Sequence, residues 1–203
     1  MNNEIIENHR MYLERKKLFI GFGYDIDKER DFILEQAKPL YGKILEAGTG
    51  KGHFAIALAK RGHSFVAFDI SQEELHIAKL NLAYFGLDKC ADFRVENAEH
   101  TTFPDGSFDM AFSVNTLHHF YSPYAVVDEL MRILSHNGRI VLSDFTEEGF
   151  KVIDEIHALE GKTHEVSEIT LADIGSYLAG KGFLIATSQS RYQSVLVAGK
   201  ELT

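Results

Sequence analysis

The stretch Lys43-Ile-Leu-Glu-Ala-Gly-Thr-Gly-Lys-Gly52 decides the fold, together with Phe65-Val-Ala-Phe-Asp-Ile70 shortly after it. An apolar run breaks into three glycines, a helical pattern follows, and a second apolar run ends in an acid. Glycine suits such a turn because it accepts positive φ and lets a ligand approach bare backbone. Asp69, at the carboxyl end of the second strand, can accept two hydroxyl hydrogen bonds from a ribose. The pattern predicts half of a nucleotide-binding βαβ unit.

The glycine spacing distinguishes between classes of nucleotide. A dinucleotide fingerprint has the form G-x-G-x-x-G and places a pyrophosphate on the helix N-terminus. Here Gly48, Gly50 and Gly52 give G-x-G-x-G, and His53 stands where the third dinucleotide glycine would be. The charge of Glu46, two residues before the first glycine, would repel a pyrophosphate and attract an ammonium. The spacing therefore disfavours an NAD-dependent oxidoreductase.

The run Glu46-Ala-Gly-Thr-Gly-Lys-Gly52 resembles motif I of the class I S-adenosylmethionine (SAM)-dependent methyltransferases, in the small-molecule pattern of the methyltransferase-11 group. The resemblance implies that the acid and the glycine backbone hold the methionine end of SAM. The segment from Arg94 to Asp109 is similar to the adenine loop of that family, although Asn97 stands where Asp is usual. The cofactor residues that the resemblance implies are Glu46, Gly48, Thr49, Gly50, Gly52, Asp69, Ile70, Asn97, Ala98 and Asn115.

Two plainer interpretations remain for these residues. A glycine-rich turn can serve only helix–sheet packing. Asn97 can be a turn residue that bonds its own backbone instead of an adenine. An amide at that position can still accept from the adenine amino group and donate to a ring nitrogen, so the substitution preserves binding in principle.

The order of strand and helix patterns predicts an α/β fold. Strands are predicted at 43–47, 64–69, 91–95, 108–113 and 139–144, and helices at 52–61, 72–85 and 123–134, with a capping box of Ser71 and Glu74. Two further strands lie within 182–198, and the link between them is too short for a crossover, so the last strand runs antiparallel. We expect a three-layer Rossmann-like methyltransferase fold, with a mostly parallel seven-stranded sheet, an antiparallel last strand and an N-terminal helical extension.

One domain over 1–203 accounts for the whole sequence. Within it, 1–38 is predicted to be a helical lid that is broken at Gly21-Phe-Gly23, 42–145 the cofactor-binding core, and 146–203 a substrate-side segment and C-terminal hairpin. The substrate-side segment is expected to contain a helix from Glu147 to Leu159 and a polar loop through Thr163-His-Glu165.

Candidate catalytic residues follow the fourth predicted strand, in Asn115-Thr-Leu-His-His-Phe120. His118 and His119 are the nearest groups that could remove a proton at neutral pH. Either one could instead cap the next helix or pack below it. Neither the spacing of these histidines with His157 and His164 nor the single cysteine matches a ligand motif, so no metal site is predicted. Surface or capping roles are expected for His53, His63, His76, His100 and His136.

Composition limits the partners. The net charge of −9 disfavours nucleic acid, since polyanion binding depends on Lys and Arg, and Arg15-Lys16-Lys17 is explained by a solvated helix face. The single Cys90 rules out an internal disulfide. No signal-peptide pattern and no apolar run of about 20 residues is present, so a cytoplasmic protein without a membrane partner is expected, as a monomer or homodimer.

The sequence therefore predicts an enzyme that transfers a methyl group from SAM to a small-molecule acceptor and releases S-adenosylhomocysteine (SAH). The alternative is a SAM-binding domain without catalysis, which would act as a regulatory or partner subunit. The acceptor and its reacting atom are not predicted.

Overall fold

A computed structural model of the chain describes residues 2–161 and 169–200. The described strands are β1 Ile44–Ala47, β2 Phe65–Asp69, β3 Ala91–Val95, β4 Phe108–Val114, β5 Leu134–Phe145, β6 Leu184–Gln189 and β7 Gln193–Gly199. The helices are α1 Asn3–Gly21, α2 Ile26–Gln36, α3 His53–Lys60, α4 Gln72–Tyr84, α5 Pro123–Ile133, α6 Glu147–Leu159 and α7 Leu171–Gly180. Short 3-10 helices lie at Asp88–Cys90 and Leu117–His119. Among the described helices, none combines the length and the apolar character that a membrane crossing needs.

The strands form one seven-stranded sheet in the order β3-β2-β1-β4-β5-β7-β6. β1 pairs in parallel with β2 and β4, and the parallel pairing continues to β3 and β5 at either side. β7 lies between β5 and β6 and is antiparallel to both. The predicted fold class is therefore confirmed, including the antiparallel last strand.

Neighbouring residues of the central strands alternate between two apolar layers. Ile44 of β1 faces a cluster that includes Ile33 of α2 and Phe54 of α3. Leu45, one position further, faces the opposite cluster, which includes Leu130 of α5 and Leu178 of α7. Because strand side chains alternate with a period of two, this pattern places helices on both faces of the sheet and defines the three layers.

The two N-terminal helices break where the sequence predicts, after Gly21. α1 packs mainly on α4, where the ring of His9 stacks on Tyr84 at 3.3 Å between centroids. On the same face, the buried amide Nδ2 of Asn8 donates to Oδ1 of Asn81 at 2.7 Å. Polar and aromatic side chains therefore attach α1 to the core.

β5 is longer than predicted. The sequence predicts a strand at 139–144 after a helix to 134, whereas β5 begins at Leu134, directly after α5. Leu134 pairs with Phe108, and the register shifts before Met110 pairs with Arg139. Gly138 is a residue type expected in a turn, but it lies within β5. A Cβ at Gly138 would lie 2.5 Å from Leu134 Cγ, so the lack of a side chain there permits this irregular pairing.

Beyond β5, α6 extends over Glu147–Leu159 as predicted. It joins α1 and the start of α2 through a third apolar cluster that contains Phe19, Tyr24 and Ile153. The predicted polar loop at Thr163-His-Glu165, with His164, lies outside the described residues.

Candidate cofactor and acceptor site

A cavity of about 790 Å³ opens at the carboxyl ends of β1, β2 and β4. This is the edge at which open α/β sheets bind ligands. Nine of the sequence-predicted residues line it together with both candidate histidines: Glu46, Gly48, Thr49, Gly50, Asp69, Ile70, Asn97, Ala98, Asn115, His118 and His119. Gly52 lies outside the lining, and helices α1, α2 and α6 supply the wall opposite the sheet.

The three glycines of the turn all have positive φ, but they meet different surroundings. A Cβ at Gly48 would lie 2.7 Å from Thr116 Cγ2, and one at Gly52 would lie 2.9 Å from Ala78 Cβ on α4. A Cβ at Gly50 would meet nothing closer than 3.9 Å. Gly48 and Gly52 are thus required by packing, whereas Gly50 leaves bare backbone facing the cavity.

The backbone N–H groups of the turn are mostly used within the protein. Gly48 and Thr49 both donate to the Phe68 carbonyl, at 2.9 and 3.0 Å, and Gly52 donates to Thr49 O at 2.9 Å. Gly50 N–H donates to Asp69 Oδ2 at 2.8 Å. A pyrophosphate cradle needs such groups directed at the ligand, so this turn does not suit a dinucleotide.

Asp69 connects the turn to the next helix. Besides the Gly50 bond, its Oδ1 accepts from Ser71 N–H at 2.9 Å. The Ser71 Oγ in turn accepts from Glu74 N–H at 3.2 Å, so one half of the predicted capping box forms while the Ser71 N–H goes to Asp69. A carboxylate has about four lone-pair sites, so two backbone donors leave room for two ribose hydroxyls.

Glu46 is a buried carboxyl group at the end of β1, with 2% of its surface exposed. Its Oε2 is buried and has no hydrogen-bond partner. Burial raises the pKa of Glu46 to about 8, and the positive charge of Arg30 partly opposes that rise. A buried carboxyl oxygen without a donor at a cavity wall fits an ammonium group, such as that of the methionine end of SAM.

Arg30 of α2 brings a buried positive charge to the same cavity. Its Nη1 donates to Tyr24 Oη at 3.3 Å, and its Nε is buried without a partner. Across residues 2–161 and 169–200, no carboxylate forms an ion pair with Arg30. With its amide oriented to satisfy its neighbours, Asn115 accepts from Arg30 Nη1 and Nη2 at 3.1 and 3.0 Å and donates to Gln193 Oε1 at 2.8 Å.

Asn115 follows β4 with a φ of 56°, the left-handed conformation that Asn tolerates better than most residues. Its N–H donates to Ser143 O at 2.8 Å, which fixes the turn to β5. Gln193 extends the polar network, since it accepts from Ser143 Oγ at 2.6 Å and donates to Tyr24 Oη at 2.8 Å. The backbone of Asn115 thus directs its amide toward Arg30.

The residues of the predicted adenine loop lie at the cavity mouth. Asn97 is exposed, and its Oδ1 accepts from Glu99 N–H at 3.0 Å, which is the turn bond of the plainer interpretation. Ile70 is 71% exposed although it is apolar. An exposed apolar side chain at the rim of a cavity is suited to cover a flat ring.

His118 and Asp144 form a buried pair on the other side of the cavity. Nδ1 of His118 lies 2.6 Å from Oδ1 of Asp144, and the two side chains are 3% and 9% exposed. His119 is exposed, with its ring centroid 4.0 Å from that of His118. The two adjacent histidines therefore occupy different environments.

The surface or capping role predicted for His53 is wrong. His53 lines the cavity and stacks on Tyr12 of α1 at 5.3 Å, with its Nδ1 buried. Burial lowers its pKa to about 3, with the positive charges of Arg30 and Arg15 acting in the same direction, so the ring is neutral. α1, which covers this ring, lies some 40 residues away in the sequence.

Sequence reasoning missed Arg30, Gln193 and the pairing of His118 with Asp144. Arg30 lies in Asp27-Lys-Glu-Arg-Asp31, where a charged residue is expected on a solvated face. The only sequence signal for Asp144 was its position at the end of β5, because the carboxyl ends of parallel strands meet at the same edge of a sheet. In the described part of the chain, no three His, Cys, Asp or Glu side chains are grouped as a metal site would require.

Comparison with known proteins identifies the class. Residues 45–142 match a family described as a methyltransferase domain. An uncharacterized methyltransferase, YcgJ of Bacillus subtilis, is 26% identical over 75% of this chain and 58% of its own length. The 27-O-demethylrifamycin SV methyltransferase of Amycolatopsis mediterranei is 26% identical over 76% of this chain and 52% of its own length. The chain thus spans a little over half the length of these relatives.

The fold is also shared with the crystal structure of the [4+2]-cyclase SpnF, at a TM-score of 0.69 and 16% identity, over 87% of this chain and 82% of the other. Similarity at that identity shows the fold alone. The matched family, the sheet order and the motifs in the cavity agree with one another. The matched region, residues 45–142, belongs to the class I SAM-dependent methyltransferases.

Proposed function

We propose that this protein binds SAM and transfers its methyl group to a small-molecule acceptor. The observation that supports this most directly is the buried, unpartnered Oε2 of Glu46 beside the open backbone of Gly50. Leaving a buried carboxyl oxygen without a donor is unfavourable, and an ammonium group supplied by a ligand would relieve that cost.

The proposed cofactor contacts divide among three parts of the cavity. Glu46 would hold the ammonium and Arg30 the carboxylate of the methionine end, since a guanidinium pairs well with a carboxylate. The backbone of Gly48, Thr49 and Gly50 would lie along the ligand, and Asn115 would keep Arg30 in place. Asp69 would accept the ribose hydroxyls, and the adenine would lie among Ile70, Asn97 and Ala98. Gly52 would contribute only through the conformation of the turn.

Bound SAM supplies a sulfonium methyl that a nucleophile displaces in line. The protein's own part is to align the acceptor, to exclude water and, for a weak nucleophile, to remove a proton. His118 and His119 are the proposed candidates for proton removal because they follow β4 at the cavity wall.

A small acceptor is favoured by the wall opposite the sheet. Phe19, Ile26 and Ile153 join α1, α2 and α6 in one apolar cluster beside the cavity. This arrangement suits an apolar ligand of limited size. One relative is named for methylation of a rifamycin, which is also a small molecule.

The alternative is a SAM-binding domain that does not methylate. It is supported by the range of proteins that share the fold, since one of them is named as a cyclase. The buried pair of His118 and Asp144 favours the catalytic proposal, because such a pair is costly to bury and serves proton transfer. The two proposals predict the same cofactor binding and differ in transfer of labelled methyl groups.

The first test is thermal unfolding with SAH, with NAD as the control ligand. At about a hundred times its dissociation constant a ligand adds roughly 2.7 kcal/mol, which raises the midpoint by about 5–10 °C for a chain of this size. We expect a shift with SAH alone, followed by transfer of labelled methyl groups in an acceptor screen. A shift with NAD alone would overturn the cofactor proposal, and SAH binding without any methyl transfer would favour the non-catalytic alternative.

A further inference from the structure

The guanidinium group of Arg30 is held by neutral partners along part of its rim. Asn115 Oδ1 accepts from both Nη1 and Nη2, at 3.1 and 3.0 Å, and therefore lies at the end of the group. Tyr24 Oη accepts from Nη1 at 3.3 Å. The edge formed by Nε and the outer N–H of Nη2 is left, and Nε is buried without a partner among residues 2–161 and 169–200. That edge has the fork geometry that binds a carboxylate through two parallel hydrogen bonds.

The charge of Arg30 has no counter-ion in the part of the chain that the structure describes. Arg30 is buried, and no carboxylate there forms an ion pair with it. The carboxyl group of Glu46 interacts with Arg30, but burial raises the pKa of Glu46 to about 8, so this group is mostly protonated at neutral pH. A buried cation without a counter-ion is unfavourable, and an anionic ligand would relieve that cost.

Gln193 of β7 fixes this neutral arrangement. Its side chain is fully buried. Its Oε1 accepts from Ser143 Oγ at 2.6 Å and from the Asn115 amide at 2.8 Å, and its Nε2 donates to Tyr24 Oη at 2.8 Å and to Asn115 Oδ1 at 3.1 Å. An amide offers two lone pairs and two donor hydrogens, so all four are used. Gln193 therefore contacts both of the side chains that hold Arg30.

The neutral amide at position 193 matters for the charge of the cavity. A glutamate of the same shape could not donate to Tyr24 or to Asn115, and its negative charge would offset that of Arg30. The protein would then carry its own counter-ion, which would compete with an anionic ligand. The neutral network instead presents the positive charge of Arg30 in a fixed orientation to a carboxylate that enters the cavity.

We infer that Gln193 is a positioning residue for the cofactor's carboxylate: through Asn115 and Tyr24 it orients Arg30 and leaves it without an internal counter-ion, so the site selects ligands that bear a carboxylate beside the ammonium. This role rests on the proposed function and adds to it the residue that sets the selectivity. Arg30 and Gln193 both lie outside the matched residues 45–142, so α2 and the C-terminal hairpin of β6 and β7 become parts of the cofactor site.

The binding test compares two ligands that differ only in the carboxylate. SAH has the ammonium and the carboxylate, whereas 5′-deoxy-5′-(3-aminopropylthio)adenosine, the decarboxylated analogue, keeps only the ammonium. In titration calorimetry the unchanged protein should bind SAH at least about tenfold more tightly than the analogue. Arg30→Met should weaken SAH binding by about 10–100-fold and change binding of the analogue less than about twofold. Unchanged SAH binding in this variant would place the carboxylate away from Arg30 and overturn the inference.

Gln193→Glu keeps the shape of the side chain and changes its charge. We expect SAH binding to weaken at least about tenfold while the decarboxylated analogue binds at least as well as before. In the Arg30→Met background the substitution should cause no further loss, because a buried glutamate without a cation nearby stays protonated. Gln189→Glu makes the same change at an exposed position of the same hairpin and is the control.

Three outcomes of that comparison would contradict the role of Gln193. Unchanged SAH binding in Gln193→Glu would show that its amide does not control Arg30. Equal losses for the two ligands, or additive losses in the double variant, would show a structural role alone. If the unchanged protein binds neither ligand, the proposed function fails as well, whereas equal affinity for both ligands would remove the selectivity and leave cofactor binding standing.

A second variant covers the case in which Gln193→Glu does not fold. Asn115→Asp places a carboxylate oxygen where the amide oxygen contacts Arg30, and Asp also tolerates the left-handed backbone of this position. It should abolish the preference for SAH over the decarboxylated analogue. Thermal unfolding without ligand checks that each variant is folded. A folded Asn115→Asp variant that retains the full preference would rule the inference out.

Discussion

The proposed cofactor side of the cavity and the polar network around Asn115 are built in different ways. The proposed cofactor side, formed by the turn at 48–52 and Asp69, is held together by contacts between near neighbours, such as the Gly50–Asp69 bond over 19 residues. The network, formed by Tyr24, Arg30, Asn115 and Gln193, joins distant segments, and the Gln193–Tyr24 bond spans 169 residues. Local contacts leave a pattern in the sequence, and distant ones do not.

The largest loss of stability is expected for a substitution of Gly52, which packing requires to be glycine, unlike Gly50, whose backbone faces the cavity. Gly52→Ala should lower the free energy of unfolding by about 2–4 kcal/mol, because a Cβ would press on Ala78 in a left-handed conformation. Urea unfolding measures the loss. Gly62→Ala is the matched control, since Gly62 has a similar φ of +81° and no neighbour within 4 Å, and should cost only about 1–2 kcal/mol. Equal losses in the two variants would show that α4 shifts to accommodate the added methyl group at Gly52.

The next effect tests the ribose contact on the cofactor side. Asp69→Ala should weaken SAH binding by about 1–3 kcal/mol through loss of charged hydrogen bonds, as measured by titration calorimetry. Unfolding without ligand must be followed in parallel, because Asp69 also accepts from Gly50 and Ser71. Asp92→Ala, at an exposed carboxylate on β3, should leave the affinity unchanged. The same affinity in the Asp69 variant would end the ribose assignment.

A smaller effect tests whether α1 is attached to the core or is a lid that detaches freely. Asn8→Ala removes the donor to buried Asn81, whose own Nδ2 donates to Lys51 O in the glycine turn at 2.8 Å. We expect a loss of about 1–2 kcal/mol in unfolding free energy. Leu13→Ala, on the same helix with 43% exposure, should cost less than about 0.5 kcal/mol. If both variants lose equally little unfolding free energy, α1 contributes little to the stability of the folded protein.

The smallest effect concerns the proton on Glu46. With a pKa of about 8 in the free protein, Glu46 is about nine-tenths protonated at pH 7. Binding of the SAH ammonium should ionise it, so nearly one proton is released, at a cost of about 1.4 kcal/mol. Calorimetry in buffers of different ionisation enthalpy measures the proton, and Glu46→Gln should release none. If the binding heat of the unchanged protein is the same in every buffer, no proton is released, and the ammonium binds away from Glu46.

The same group makes stability depend on pH. The pKa of Glu46 is raised from its ordinary 4.5 to about 8, so the folded state binds its proton more tightly than the unfolded chain does. Its contribution is complete below about pH 4.5 and is lost as the pH rises toward 8. The difference in unfolding free energy between the unchanged protein and Glu46→Gln should follow that course.

The sequence located most strands to within two residues because apolar runs and glycine turns are local signals. It placed β5 too short, because Ser135-His-Asn-Gly138 has the composition of a turn while its pairing with β4 is set by the neighbouring strand. On α1 the apolar Leu13 and Ile20 lie on the exposed side, whereas the buried side mixes the polar Asn8 and His9 with Tyr12 and Phe19. A helix attached in part through hydrogen bonds and stacked rings has only a weak apolar stripe to predict it.

Of the candidate site, the sequence by itself determined the glycine turn, the acids Glu46 and Asp69 and the histidines after β4, since these follow from residue type and spacing along one βαβ unit. Only the tertiary structure decided that Arg30 is buried beside Glu46, that His53 lies under α1, and that Asp144 pairs with His118. Each of these depends on two segments that meet only when the sheet is assembled. Burial and pairing then change the charge state and tautomer of a side chain in ways that its sequence position does not specify.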